Sequence, residues 1–534
     1  MPRAERASLH AIAGEWLEAQ AAGREDALAE LIAYHYREAA TLGSTLRQAE
    51  THPIRARAVH WLGRAAATAL AGAALEEAAR HLRAAIELAD STDHPELYER
   101  LGDVHVGGDA SAEAYGTALT LCREAGRPPD QELRVLAKLL TVLMRYQGSV
   151  ASRPSDDTMA QMRAEGHALM PLVKDQRTIA AFLVGEGFYP FWRLGDGTAE
   201  DVISAEASAR RGLEIAERLD DAKLRSTALD AISGCAQARG AWREVVPLAE
   251  QRLAFQDRLD LFERMDAYAM MTWGSVLGGD LDTADRVSST GLALLQPGQA
   301  STMALHLAAW QIYALTLRGK WDDALTTAAK AKRLWIESNR IAAGYATRGF
   351  ATALDVARAR RDEKTIEDLK EIIEDILQKF RAARTDAPVV LRIEPYARLN
   401  FAWLIRYVEA FSFRHLPSIE HYERTLSLLT DHRRLASADI THRIAAFAAE
   451  FNYTLLEAQA RRALGVMAKN REELERAVTL FRGTGAVPYE ARARCEHAIV
   501  VGDESEFVDA ERVLEQLGDI DQLERLTVAR KKTS

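Results

Sequence analysis

The sequence predicts an all-α protein, a right-handed α-solenoid built from helix–turn–helix repeats, and three observations lead to it. Helical periodicity runs almost end to end, with alanine, leucine, arginine and glutamate dominating. Strand signals are scarce: PVVLRI at 388–393 is the best run of β-formers, and it stands alone. A glycine-led phrase recurs at near-equal spacing through the middle of the chain.

The totals agree with that class. A length of 534 residues exceeds a usual single domain, so several domains or one extended repeat array are expected. Apolar residues make up 48% and charged residues 27%, a balance that suits a folded chain. With only 14 prolines and 32 glycines, long helices joined by short connections follow. The net charge of −10 leans against a nucleic-acid partner, which needs a basic face. The first residues, MPRAERASLHAIAGEWLEAQ, lack the apolar core of a signal peptide. No uninterrupted apolar stretch reaches the roughly 18–20 residues of a membrane span, so a soluble, cytoplasmic protein without a membrane partner is expected. Arginine outnumbers lysine, and asparagine occurs only at Asn339, Asn400, Asn452 and Asn470, a codon signature of a high-GC bacterium. Cys122, Cys235 and Cys495 are odd in number and far apart, with no CxxC pair. Buried, reduced thiols are expected, and neither a disulfide framework nor a thiolate zinc site.

The recurring phrase fixes the elements. GAWREVVPLAEQRL starts at Gly240, GDLDTADRVSSTGL at Gly279 and GKWDDALTTAAKAK at Gly319, spacings of 39 and 40 residues. Two places after each glycine stands Trp242, Leu281 or Trp321; five places after, Val245, Ala284 or Ala324; twelve places after, Arg252, Gly291 or Ala331. Upstream of the first two glycines lies another helix, carrying Leu229, Ile232 and Ala236 in one copy and Tyr268 and Met271 in the next. A glycine lets one helix end in a left-handed cap, the large residue starts the next helix packing back, and small residues further on allow close approach. In the third copy Trp321, Ala324, Leu325, Ala328, Ala331 and Trp335 share one face, while Asp322 and Asp323 complement the helix dipole. One such pair cannot bury its whole apolar face, so pairs stack. Residues 1–50 are expected to form an N-terminal helical cap or junction, and 51–534 the repeat array, with subdivisions near 148–157 and 383–395.

These phrases resemble the tetratricopeptide repeat. LEEAARHLRAAIEL supplies Ala78, Leu82 and Ala85; ASAEAYGTALTL supplies Ser111, Tyr115 and Ala118 about 33 residues later, near the repeat's period. GVMAKNREELERAVTL offers Gly465, Leu474 and Ala477. Gln311 and Ile312 replace the usual Leu-Gly, and several copies lack the closing proline, so the repeats are tetratricopeptide-like. The chain as a whole is similar to the C-terminal part of large bacterial signal-transduction ATPases of the STAND type. RASLHAIAGEWLEAQ followed by ALAELIAYHYREAA, with its His35, Tyr36 and Ala39, resembles their junction into the repeats; FWRLGDG, LEIAERLDD and FRGTGAVPYEARARCEHAIV resemble later phrases. Members include cyclase–ATPase fusions and large LuxR-type regulators. The resemblance implies that the chain is either a piece of such a protein or a stand-alone relative without its effector.

Enzyme motifs are missing. No GxxxxGK[ST] occurs, and GEGFYPFWRLGDG at 185–197 follows no strand and carries Pro190 where a dinucleotide loop needs glycine. Phe188, Phe191 and Trp192 are expected to pack between helices rather than form a ligand platform, with a kink at Pro190. HExxH is absent, and His415, Glu420, His421, His432 and His442 lack metal-ligand spacing. Ser275 in WGSVLGG sits in no nucleophile elbow, and Asp220-Asp221 reads as a helix start. The run 360–384 alternates charge on a long helix, a solvated face, and VARKKTS is a short basic tail. No catalytic, cofactor-binding or metal-ligating residue is assigned, no cofactor is expected, and the chain is expected not to be an enzyme. The expected function is recognition of a protein or peptide, or of the protein's own effector domains, through the groove of the stack. Residues four before the asparagines are Trp335, Tyr396, Ala448 and Val466, so the lysine of a carboxylate clamp is absent. The alternative is a small-molecule inducer receptor, as in LuxR-type regulators.

Overall fold

The computed structural model describes residues 2–43, 48–72, 74–105, 107–150, 152–193, 198–239, 241–296, 302–341, 344–383, 438–450 and 452–531, and among them every regular element is helical. The run at 388–393, most of the boundary near 383–395, and Asn400, His415, Glu420, His421 and His432 lie outside the described residues. The chain divides into two units, 1–182 and 183–534.

The first unit contains α1 (Arg3–Gln20), α2 (Glu25–Leu42), α3 (Gln48–Ala71), α4 (Leu75–Leu88), α5 (His94–Val104), α6 (Asp109–Glu124), α7 (Pro129–Arg145), α8 (Asp156–Leu169) and the start of α9 (Gln176–Glu186). From α1 to α8 each helix packs on the next, as short connections require. A glycine on one helix takes an aromatic ring from its neighbour: a Cβ on Gly14 would lie 3.0 Å from the Tyr36 ring, and one on Gly102 2.5 Å from Tyr115. Ala78, Leu82, Ala85, Ser111, Tyr115 and Ala118 are all buried, as the repeat phrase demands. In the His-Tyr-x-x-Ala segment Tyr36 and Ala39 are core, the Tyr36 hydroxyl donating to Glu18 at 2.5 Å; His35 stays nearer the surface, its ring 5.2 Å from that of His10.

The second unit continues with α10 (Tyr189–Arg193), α11 (Ala199–Arg218), α12 (Ala222–Ala238), α13 (Val245–Leu253), α14 (Leu261–Gly278), α15 (Leu281–Leu292), α16 (Thr302–Leu317), α17 (Trp321–Glu337), α18 (Thr347–Ala359) and α19 (Glu363–Ala383). After the undescribed 384–437 come α20 (Ala438–Glu450), α21 (Thr454–Ala468), α22 (Arg471–Thr484), α23 (Val487–Val501), α24 (Glu504–Leu517) and α25 (Ile520–Lys531). Besides pairing with their neighbours in sequence, α12, α14, α16 and α18 pack on one another in succession, the nearest-neighbour stacking of an α-solenoid. These inner helices are buried almost all round; in α16 every residue from Met303 to Leu317 except His306 is buried.

The second and third glycine turns close as the spacing predicts, and Gly240 lies outside the described residues. Gly279 has φ +76° and Gly319 φ +78°, with Asp280 N–H donating to Ser275 O and Lys320 N–H to Leu315 O, both at 2.9 Å. Val245, Leu281, Ala284, Trp321, Ala324, Ala328, Ala331 and Trp335 are buried. The same turn recurs with side chains in the left-handed position, at Asp220 (φ 51°), Arg361 (φ 56°) and Lys469 (φ 50°). A left-handed residue other than glycine costs about 1–2 kcal/mol. The exposed Lys469 makes the cleanest test: Lys469→Gly is expected to raise unfolding free energy by about 1 kcal/mol, read from urea midpoints.

The turns are not a free edge. The last hairpins pack onto them, α21 against α14, α23 against α16 and α25 against α18. Gly279 faces Thr454 and Thr484; Gly319 faces Val487, Pro488 and Leu517. Arg360 Nε donates to Leu517 O at 2.9 Å, and Arg361 pairs with Glu524 at 2.6 Å. Trp321, Val356 and Ala359 share one apolar cluster with Ala491, Cys495, Phe507, Leu514 and Leu526.

Candidate functional site

Among the described residues, a buried polar cluster lies in the second unit and an exposed apolar stripe on the first. The buried one starts from Arg252 on α13, at the twelfth place of the repeat phrase, where the following copies carry Gly291 and Ala331. That place faces the neighbouring inner helices, so the guanidinium is enclosed (1% exposed) and must be paired. Its Nε donates to Ser226 Oγ at 2.9 Å, one terminal nitrogen to Asp230 at 3.1 Å, and the other to Glu263 at 3.1 Å and Asp266 at 2.6 Å. The three carboxylates come from α12 and α14 and are themselves buried. One outer-helix side chain thus ties two inner helices together.

The next repeat carries His306 thirteen residues before its glycine, as Asp266 stands thirteen before Gly279. The Trp310 indole N–H donates to His306 Nε2 at 3.2 Å, and the Tyr345 ring lies 5.1 Å away. The Arg348 guanidinium covers the Trp310 ring at 3.4 Å and donates to Tyr345 O at 3.3 Å. His306 is half-buried, and desolvation by the helices packed round it, followed by the Arg348 charge, pushes its pKa down to about 3, against a smaller upward pull from Asp266. The imidazole is neutral, and its Nε2 is the acceptor.

This shift has a measurable consequence. Unfolded histidine titrates near 6.5 and folded His306 near 3, so between those values the unfolded state binds more protons. The stabilisation is complete above about pH 6.5 and is lost as pH falls toward 3. From pH 7 to pH 5 the wild-type chain is expected to lose about 2 kcal/mol more than His306→Gln, measured by urea unfolding at both pH values. His35, His81 and His105 shift in the same direction, so the variant comparison isolates His306.

Other residues singled out in the sequence occupy packing, capping or ion-pair positions. Cys122, Cys235 and Cys495 are buried and unpaired with one another, and burial raises the last two thiols to about 12, which keeps them protonated. Ser275 is buried within α14. Phe188 and Trp192 are core, and Phe191 packs on Gly234. Asp221 caps α12, accepting from Leu224 N–H at 3.0 Å, and Asp322 pairs with Arg360. On α19, Ile366, Leu369, Ile372, Ile373 and Ile376 form a buried stripe, leaving the alternating charges outward.

The exposed place is the outer side of α1. Ala7 and Gly14 form its buried face. Leu9, Ile12 and Trp16, about 140–200° around the helix at 100° per residue, are 48%, 58% and 63% exposed. A helix apolar on both sides is normally covered on both. Leu31 and Tyr34 on α2 are exposed too, and Tyr34 meets the His10 ring at 5.8 Å. Composition and periodicity missed this stripe because they mark apolar faces without saying which one a neighbour covers. The first unit also holds an open cleft of about 460 Å³ between α3 and α5, lined by His60, Arg64, Asp93, Glu96 and Arg100 among others. Arg100 bridges it, donating to Gly63 O at 2.5 Å. No described helix is long and apolar enough to cross a membrane.

No family model and no curated protein matches the chain. Among solved structures it is similar to a "Circular tandem repeat protein with novel repeat topology and enhanced subunit contact surfaces", at 14% identity over 98% of this chain and 99% of the other, with a TM-score of 0.15. At that score the two backbones do not superpose as wholes.

Proposed function

We propose that this chain is a non-catalytic recognition module, a helical-repeat scaffold that binds a protein partner through the outer face of its first hairpin. The observation that carries the reading is the exposed Leu9, Ile12 and Trp16 stripe on a helix already packed by its opposite side. Such a stripe fits the apolar face of an amphipathic helix, laid on it as each helix of the stack is laid on the next. The resemblance of its phrases to bacterial signalling ATPases and LuxR-type regulators favours, as that partner, a cytoplasmic signalling protein or the effector domains of the same system. The buried polar groups fit the non-catalytic reading: the Arg252 carboxylates hold a guanidinium between helices.

The test is a photo-crosslinker at position 12 of the intact chain in its native host. A discrete protein adduct, lost in Leu9→Glu/Trp16→Glu while the melting temperature is unchanged, is the expected result. Adducts that persist in the double variant, or nucleotide hydrolysis by the purified chain, would overturn the reading. A second reading, an inducer receptor, draws on the aromatic and cationic group of His306, Trp310, Tyr345 and Arg348. It predicts a saturable rise in melting temperature with a small metabolite, abolished by Trp310→Leu.

A further inference from the structure

The first unit contains a cluster that neither reading uses. His81 on α4 is buried, its side chain 4% exposed, and neither ring nitrogen has a hydrogen-bond partner. Its Nε2 is aimed between two carboxylates, 3.3 Å from Glu77 Oε1 and 3.9 Å from Glu30 Oε1. The three atoms lie within 4.8 Å of one another. Glu77 and His81 are one helical turn apart on α4, and Glu30 comes from α2. A buried imidazole without a hydrogen bond is costly, and a histidine–carboxylate set at this spacing is what a borderline divalent cation accepts.

We propose that Glu30, Glu77 and His81 form a binding site for a borderline divalent transition metal of the Zn²⁺ class, which ties the first hairpin to the second. Tetrahedral zinc with bonds near 2.0–2.2 Å sets neighbouring ligand atoms about 3.4 Å apart, close to the two distances from Nε2. Arg80 is the resident competitor. Its guanidinium donates to Glu77 through two nitrogens and to Glu30 at 3.3 Å, and its side chain is 48% exposed. An exposed arginine can swing to solvent when a metal takes the carboxylates, whereas buried His81 cannot. Two carboxylates and one neutral imidazole balance a divalent charge, and the exposed Glu30 side leaves the fourth position to water. The signal available in the sequence was the Glu77-x-x-x-His81 spacing; Glu30, 47 residues before Glu77, was not recoverable from it.

The experiment titrates ZnCl₂ into the chelator-treated full chain by calorimetry, with Glu30→Gln, His81→Asn and Arg80→Ala beside it and MgCl₂ as a control. The wild type is expected to bind one equivalent that both ligand variants lose or bind at least about tenfold more weakly. Arg80→Ala is expected to bind it more tightly, a change that a purely structural cluster would not produce. Mg²⁺, which prefers oxygen ligands, is expected to leave the site empty. Glu30 is exposed, so Glu30→Gln carries the test even if His81→Asn does not fold. Equal stoichiometry and affinity in the wild type and Glu30→Gln, or an unaltered affinity in Arg80→Ala, would overturn the proposal.

Discussion

Arg252→Met is expected to lower the unfolding free energy of the second unit by about 3–5 kcal/mol, the usual penalty for removing one partner of a buried ion pair. Arg252 meets four acceptors from α12 and α14, Ser226, Asp230, Glu263 and Asp266, and the carboxylates around it are nearly as enclosed as it is. Methionine keeps most of the apolar stem and loses the charge, so the deficit reports the three stranded carboxylates rather than lost packing. The comparison that separates these causes is Arg252→Met with Glu263→Gln and Asp266→Asn. Neutralising two of the acids is expected to restore a substantial part of the loss, because replacing a buried ionic cluster as a whole is far less costly than breaking it. Arg252→Lys should fall between, since an ammonium supplies three donors from one point and cannot span acceptors on two helices. Urea midpoints of the four proteins decide the matter. A methionine variant within about 1 kcal/mol of wild type would show that the cluster contributes little beyond packing.

The position of Arg252 also shows how far the sequence could be read. The repeat register places it inside, because Gly291 and Ala331 occupy the same place in the next two copies and both are packed against neighbouring helices: a Cβ on Gly291 would lie 2.8 Å from Tyr268, and Ala331 is buried. A charge at a place reserved for small residues must be paired. What the register does not give is the partners, since Asp230, Glu263 and Asp266 lie on helices whose rotation is set by packing. The same limit applied elsewhere. Helices, glycine turns and buried faces follow from spacings of three, four and about forty residues, all local in the chain. The docking of the last hairpins on the Gly279 and Gly319 turns joins segments some 170–200 residues apart, and nothing periodic announces it. The Leu9, Ile12 and Trp16 stripe escaped for the converse reason: its pattern is that of a core face, and only the packed structure leaves it uncovered.

Trp321→Ala is the second large effect expected, about 3–5 kcal/mol, the range for emptying a buried aromatic site. Trp321 opens α17 directly after the Gly319 turn and is 4% exposed. Its indole N–H donates back across that turn to Thr316 O at 3.2 Å, and the Arg360 guanidinium lies 5.6 Å from its ring. The ring joins three segments, since the cluster around it draws Val356 and Ala359 from α18 and Cys495, Phe507 and Leu514 from the last hairpins. Trp321→Phe keeps most of that contact and loses the hydrogen bond, so it should cost nearer 1 kcal/mol than 4. The location of the damage is the sharper test. Amide hydrogen exchange in Trp321→Ala should accelerate across α23 and α24 as well as in α17, because the cavity opens against both, while α11 and α12 stay protected. If exchange rose only within α17, Trp321 would be an anchor of its own hairpin alone. Acceleration in the last hairpins would establish that the residue following the repeat glycine does two things at once. It closes its own turn, and it holds in place the second stack that covers that turn.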